Sequence, residues 1–159
     1  MNMEEMIFLK TAYMIGLSAQ MGGILSNLPE KEILELKEFG DCIGMAYQVQ
    51  DDLLELFSDS QSMKKSLESD FTLNKKTFLW VSTPETLRSE LDGILSNFNE
   101  DKDGTINKLR NFMEVKKIKQ RAEFFIGQNI EKSKRLLDRM SGNTQFLRYF
   151  SDLIFNREY

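Results

Sequence analysis

The sequence predicts an all-α protein, and three observations lead to this fold class. Apolar residues recur at three- and four-residue steps through most of the chain, which is the spacing of one face of an α-helix. Only two prolines and nine glycines interrupt the 159 residues, and no stretch alternates apolar and polar residues as a strand would. At this length we expect one all-helical domain, residues 1–159, built as a helical bundle around its own core.

Two long helices are predicted in the first third of the chain. The first runs from Met3 to about Gly22, where the pair Gly22-Gly23 ends it. Pro29 then presets the first turn of the second helix, which continues without a proline to Phe57. Its middle, "FGDCIGMAYQVQ", is apolar almost all round, and this predicts that the segment is buried among neighbouring helices.

Gly40 and Gly44 share one face of this second helix. Glycines four residues apart allow another helix to approach closely. The alternative is that both are tolerated glycines with no role, and the sequence does not decide between the two.

The rest of the chain is predicted as shorter helices joined by polar turns. The stretch "SDSQSMKKSLESDFTLNKKT" is polar and predicts a loop. Helices are predicted at about residues 76–82, 84–98, 105–115, 118–140 and 144–156. The segment "NEDKDG" matches the opening of a calcium-binding loop, but Arg110 occupies the position that requires a bidentate glutamate. A turn with solvated charges is therefore predicted there.

Composition excludes several classes of function. The net charge of −4 argues against a nucleic-acid partner. Without histidine the chain cannot form a Ser-His or Cys-His nucleophile system, and the lone Cys42 allows neither an internal disulfide nor an ordinary zinc site. Any metal chemistry must therefore use carboxylates, which favour hard ions such as magnesium, manganese or calcium.

The N-terminal residues indicate a compartment. Glu4 and Glu5 stand where a signal peptide would carry basic residues, and no apolar run approaches the length of a membrane span. With a single cysteine, this predicts a cytoplasmic protein with no transmembrane segment.

A block of acidic residues near the end of the second helix is the strongest candidate site. Gln48, Asp51, Asp52 and Glu55 are spaced so that they share a helix face, and the carboxylates of Asp51 and Glu55 can close on one ion. The simpler alternative is an exposed acidic patch. Lysines at Lys10 and in the 58–77 loop favour the site, because carboxylates, a metal ion and lysines together suit a diphosphate.

These segments resemble the trans-isoprenyl diphosphate synthase family, the polyprenyl synthetases. "FGDCIGMAYQVQDDLLELFSD" resembles the helix that carries the family's second aspartate-rich motif, with Glu55 in place of its third aspartate. "LKTAYMIGLSAQMGG" resembles the family's Lys-Thr helix, and "KSLESDFTLNKKT" resembles its following lysine-rich stretch. Lys64 and Asn74 replace family glycines in that stretch.

The resemblance implies a fold, a cofactor and a role for each matching residue. It implies the C-terminal portion of the isoprenoid synthase fold, with magnesium, or else manganese, held by carboxylates. The implied catalytic residues are Lys10, Thr11 and Gln48; the implied diphosphate-binding residues are Lys10, Lys65 and Lys75; the implied metal ligands are Asp51, Asp52, Glu55 and Asp70. Thr77 also falls on a family position near the diphosphate.

The family reaction joins an allylic prenyl diphosphate to isopentenyl diphosphate. The allylic carbon–oxygen bond ionises, the double bond of isopentenyl diphosphate attacks the cation, and the released diphosphate removes a proton. The resemblance covers about the C-terminal half of a family member, without the first aspartate-rich motif. We therefore expect an uncovered apolar face that includes much of "IGMAYQV", together with a partner chain supplying the N-terminal half or a homo-oligomer.

Two other hypotheses remain open from the sequence. One is a non-catalytic regulatory subunit or degenerate relative that keeps the fold and stabilises a true synthase. The other is a helical interaction module in which the acidic block is incidental.

Overall fold

The computed structural model describes residues 3–58 and 78–156, and every regular element within those two ranges is helical. The first helical stretch consists of α1 (Met3–Ile7), a π-helical segment (Phe8–Ala12) and α2 (Tyr13–Leu25). The elements that follow are α3 (Glu30–Phe57), α4 (Phe78–Val81), α5 (Glu85–Leu95), α6 (Lys102–Val115), α7 (Ile118–Leu137) and α8 (Gln145–Phe155). The prediction of an all-α protein is confirmed, and α3 has the predicted bounds.

The chain divides into two compact units. The first takes in the residues up to Gln50 and those from Phe124 onward, and the second takes in Asp51–Glu123. Helices α3 and α7 each contribute residues to both units. The prediction of a single domain stays a prediction.

Glycines set the packing of α2 and the π-helical segment against α3 in the first unit. A Cβ atom at Gly40 would lie 2.7 Å from Cα of Gly16, and one at Gly44 would collide with the backbone of Ala12. The two backbones can approach this closely only because neither glycine has a side chain. Of the two interpretations of Gly40 and Gly44, the structure therefore supports close helix approach.

The predicted end of the first helix is wrong. α2 continues through Gly22 and Gly23 to Leu25, and Asn27 in the left-handed region (φ 52°) terminates it. Gly23 stays helical because it lies against α3, where an added Cβ would be 3.0 Å from Leu36 Cδ1. The glycine pair therefore does not break the helix, and one of its members, Gly23, allows α2 to pack closely against α3.

Three further helix boundaries differ from the predictions. α6 begins at Lys102 instead of Thr105, because the Asp101 carboxylate accepts a hydrogen bond of 2.9 Å from the Gly104 N–H and caps the helix. The acidic segment that resembles a calcium loop is thus a turn up to Asp101, as predicted, followed by the first residues of α6. α5 ends at Leu95, where the Ser96 hydroxyl bonds the Gly93 carbonyl, and α7 ends at Leu137 instead of Met140.

The segment "IGMAYQV" is not the uncovered apolar face that the sequence predicts. Ile43, Ala46 and Val49 are fully buried, and Tyr47 is its only exposed apolar side chain among the described residues. Most of the exposed apolar side chains described in the first unit lie instead on α2, among them Met14, Met21, Ile24 and Leu25, and on α8, among them Phe146, Tyr149, Phe150 and Leu153.

Candidate functional site

The Lys-Thr pair predicted for catalysis lies in the π-helical segment of the first unit. The N–H of Tyr13 bonds the carbonyl of Phe8, five residues earlier, so this turn holds one more residue than an α-helical turn. Lys10 is exposed and Thr11 is half-buried. Single π-helical turns occur often at functional sites, and no pattern in the sequence predicts this one.

Thr11 and Gln48, two of the three residues predicted for catalysis, lie in direct contact. The Thr11 hydroxyl donates a hydrogen bond of 2.6 Å to Oε1 of Gln48, whose side chain is buried. Gln48 lies one turn after Gly44 on α3, and Gly44 is the position at which the Ala12 backbone comes closest. The glycine contact therefore brings the helices near enough for a threonine, a short side chain, to reach Gln48.

The three predicted carboxylates of α3 lie in the second unit and differ in exposure. Asp51 and Glu55, one turn apart, are half-buried. Asp52 is only 6% exposed, and its Oδ2 accepts a hydrogen bond of 2.5 Å from the N–H of Phe78, the first residue of α4. At least one oxygen of Asp52 is therefore engaged with the backbone.

Arg110 on α6 has a role that no pattern in the sequence indicates. Its Nε donates to the Leu56 carbonyl at 2.7 Å, and its Nη2 donates to the Ser58 carbonyl at 2.8 Å. These carbonyls belong to the last turn of α3 and the residue that follows it, where helical bonding leaves acceptors unsatisfied and the helix dipole is negative. The Arg110 guanidinium thus caps the helix that carries the acidic block.

The donor set fits a magnesium ion that keeps part of its water shell. Among residues 3–58 and 78–156, no three histidine, cysteine or acidic side chains are arranged to hold one metal. Magnesium in phosphate sites needs fewer, because it is commonly held by one or two carboxylates together with phosphate oxygens and water. Asp51 and Glu55 can provide two carboxylates from successive turns of one helix.

Part of the predicted site lies outside the described residues. Lys65, Asp70, Lys75 and Thr77 all fall within the gap between the two described ranges. Their predicted roles in diphosphate and metal binding stay predictions.

Cys42, the lone cysteine, is buried in the first unit and is not arranged as a nucleophile. Burial raises the pKa of its thiol to about 11, with smaller opposing effects from the charges of Lys132 and Glu38. Glu38 accepts an ion-pair contact of 2.7 Å from Lys132, and this hydrogen bond raises the pKa of Lys132. A thiol with a raised pKa is a poor nucleophile at neutral pH.

Comparison with known proteins identifies the family. A family model described as polyprenyl synthetase matches residues 1–115, a range that includes Thr11, Gln48 and the α3 carboxylates. The chain belongs to the polyprenyl synthetase family. This confirms the resemblance noted in the sequence.

Characterised polyprenyl synthetases are similar over part of their length. A short chain isoprenyl diphosphate synthase of Methanothermobacter thermautotrophicus is 36% identical over 100 residues, which cover 60% of this chain and 31% of that protein. The farnesyl diphosphate synthase of Bacillus subtilis is 34% identical over 83 residues, covering 52% of this chain and 28% of that protein. The chain thus spans about a third of each of these relatives.

A solved structure has the same fold over nearly the whole chain. The crystal structure of a geranylgeranyl pyrophosphate synthase superposes with a TM-score of 0.83 at 26% identity, covering 98% of this polyprenyl synthetase and 51% of the solved chain. The prediction of the all-α isoprenoid synthase fold is confirmed. In the described ranges, no helix is long and apolar enough to cross a membrane.

Proposed function

We propose that this polyprenyl synthetase forms the diphosphate-binding portion of a prenyltransferase that condenses an allylic prenyl diphosphate with isopentenyl diphosphate. The observation that carries the proposal is the pair Asp51 and Glu55, half-buried on successive turns of α3 inside the range that matches the family. Two carboxylates at this spacing suit a magnesium ion that also contacts a diphosphate.

The proposed ligands are Asp51, Asp52, Glu55 and Asp70, and the proposed diphosphate-binding residues are Lys10, Lys65 and Lys75. Magnesium, or manganese in its place, would supply positive charge to the leaving diphosphate. Lys10 is exposed on the π-helical segment, so its ammonium is accessible to an anion from solvent. The hydrogen bond from Thr11 to Gln48 fixes both side chains in one orientation, so neither has to reorganise when substrate binds.

We further propose that activity requires more chain than is present here. Because the residues present correspond to about half of the solved relative, the proposed partner is a second polypeptide that supplies the N-terminal half, or another copy of this chain. One similar protein in Arabidopsis thaliana is named as the large subunit of a heterodimeric geranylgeranyl pyrophosphate synthase, so subunit assembly has a precedent among relatives.

Prenyl transfer tests the proposal directly. The assay follows product formation from an allylic diphosphate and isopentenyl diphosphate with magnesium, for this chain alone and with candidate partners. We expect no turnover by the chain alone. With its partner, Asp51→Ala should lower kcat/KM by orders of magnitude, whereas Asp92→Ala, which removes an exposed acid from α5, should not. Equal rates for the two variants would contradict the proposal.

The second candidate function is a non-catalytic subunit of a prenyl diphosphate synthase. The observation that favours it is that Lys64 and Asn74 replace two glycines of the family pattern in the lysine-rich stretch. Titration calorimetry with magnesium and inorganic diphosphate separates the two candidates. If the chain binds magnesium diphosphate and Asp51→Asn weakens that binding, the catalytic proposal is supported. If the chain does not bind it but raises the activity of a complete synthase in a separate assay, the second candidate is supported.

A further inference from the structure

Two contacts fix the chain on either side of residues 59–77, and both are made at the C-terminal end of α3. One holds Ser58, the last described residue before that segment, and the other holds Phe78, the first described residue after it. All the residues involved belong to the second unit.

The contact at Ser58 uses both sides of one guanidinium. Arg110 donates from Nε to the Leu56 carbonyl at 2.7 Å and from Nη2 to the Ser58 carbonyl at 2.8 Å. The Ser58 N–H in turn bonds the Leu54 carbonyl at 2.9 Å, which makes it the last helical hydrogen bond of α3. A guanidinium has its donors at fixed positions, so it can fix the distance between two carbonyl oxygens. A lysine ammonium is a single flexible charge and fixes that distance less well.

The contact at Phe78 is a charge-assisted hydrogen bond in a buried place. The Asp52 carboxylate accepts from the Phe78 N–H at 2.5 Å, and both residues are nearly inaccessible to solvent, at 6% and 2% exposure. Hydrogen bonds to an ionised acceptor are shorter and stronger than those between neutral groups, and burial increases the cost of losing one.

We infer that Asp52 and Arg110 are positioning residues, which fix the two flanks of residues 59–77 against the end of α3. This assignment replaces the ligand role proposed for Asp52 above: Asp52 acts through the backbone of Phe78, while Asp51 and Glu55 stay the proposed ligands on α3. The effect on catalysis rests on the proposed function, because the proposed ligands Asp51 and Glu55 lie on the same last turns of α3 as these contacts. The contacts themselves are testable without it.

Amide hydrogen exchange, measured by NMR on the unliganded chain, tests the Asp52 contact. Asp52→Ala should speed exchange of the Phe78 amide at least about tenfold, since it removes a buried hydrogen bond to a charged group. Asp52→Asn keeps an acceptor oxygen and should speed exchange of the Phe78 amide less than Asp52→Ala does. It replaces the alanine variant in this test if that variant does not fold. Asp51→Asn is the matched control and should leave Phe78 unchanged. An unchanged Phe78 amide in Asp52→Ala, or equal effects of Asp51→Asn and Asp52→Ala, would overturn the assignment of Asp52.

The same measurement tests Arg110 at the other flank. Arg110→Lys keeps the charge but loses the two-donor fork, so the end of α3 should fray and the Ser58 amide should exchange several-fold faster. Arg121→Lys is the control, because Arg121 also bonds backbone carbonyls, at 3.4 Å, but those of Lys116 and Lys117, away from the end of α3. If Ser58 exchange does not respond to Arg110→Lys, Arg110 does not position this flank.

Binding of magnesium inorganic diphosphate then separates a positioning residue from a ligand. Asp51→Asn should weaken binding more than about tenfold by removing ligand charge, whereas Asp52→Asn should weaken it only a few-fold, because its acceptor remains. Equal losses would show that Asp52 acts as a ligand and would overturn its positioning role. If the unsubstituted chain with its partner binds no diphosphate, the proposed function fails, while the two exchange results still decide whether the flanks are held as inferred.

Discussion

The hydroxyl of Thr11 donates a hydrogen bond of 2.6 Å to Oε1 of Gln48, which joins the π-helical segment to α3 across 37 positions of sequence. Gln48 is buried, so its carbonyl oxygen cannot obtain an equivalent hydrogen bond from bulk water. The contact therefore contributes to stability as well as to the orientation of two predicted catalytic residues.

Replacing Thr11 by valine should lower the free energy of unfolding by about 1–2 kcal/mol, because it removes a donor to a buried acceptor while keeping the volume. Thr11→Ser keeps the hydroxyl and should cost less. Urea unfolding followed by circular dichroism measures both. A valine variant as stable as the serine variant would mean that the hydrogen bond contributes nothing.

Gly44→Ala should destabilise the protein by about 3 kcal/mol, at the upper end for overpacked sites, because the new methyl group meets the Ala12 backbone and not a mobile side chain. Gly127→Ala in α7 is the matched control. No atom lies within 4 Å of a Cβ at Gly127, so this substitution should stabilise the helix by about 0.5–1 kcal/mol. In chemical denaturation, the free energy of unfolding should fall for Gly44→Ala and rise for Gly127→Ala. Changes of the same sign would contradict the packing described for Gly44.

Asp101→Ala should cost about 1 kcal/mol by removing the cap that accepts from the Gly104 N–H. Asp101→Asn keeps an acceptor at the same place and should cost less. Thermal unfolding compares the two, and the alanine variant should have the lower Tm. If the asparagine variant is destabilised to the same extent, the charge of Asp101 and not its cap would be the stabilising property.

The stability of the protein should fall as the pH rises above 9, in part because of Cys42. Burial raises the pKa of the folded thiol from 9.0 to about 11, so the folded state holds its proton over a range in which the unfolded state releases it. The contribution is complete below pH 9 and is lost progressively up to about pH 11. Urea midpoints of the wild type and Cys42→Ala at pH 8 and pH 10.5 measure it, and the wild type should lose more stability than the variant.

Much of the fold follows from local signals that the sequence displays. Pro29 at the start of α3, and the absence of any proline before Phe57, account for a helix whose bounds agree with the prediction. The ends of other helices were less predictable because tertiary contacts decide them. Gly23, for example, stays helical because Leu36 packs against it, and no local pattern shows that contact.

Only the part of the candidate site that consists of motif side chains was predictable, because a sequence shows side-chain types but not backbone contacts. Thr11, Gln48 and the acidic residues of α3 stand out because their types and order match a family motif. Arg110 does not, since its partners are backbone carbonyls more than fifty residues away, and a carbonyl is common to every residue type. The hydrogen bond between Asp52 and Phe78 was equally unpredictable. Asp52 belongs to the motif, but its partner is a backbone N–H, which every residue except proline has.

The extra residue accommodated between Phe8 and Ala12 changes what a one-residue deletion would do in this part of the chain. A chain with one residue fewer would form a regular α-helix there with a complete set of backbone bonds. Because the wide turn already absorbs the extra residue, the side chains on its N-terminal side would keep their direction around the helix axis. A deletion in this turn would therefore regularise the backbone without redirecting α1, and it would remove the local widening at Lys10 and Thr11.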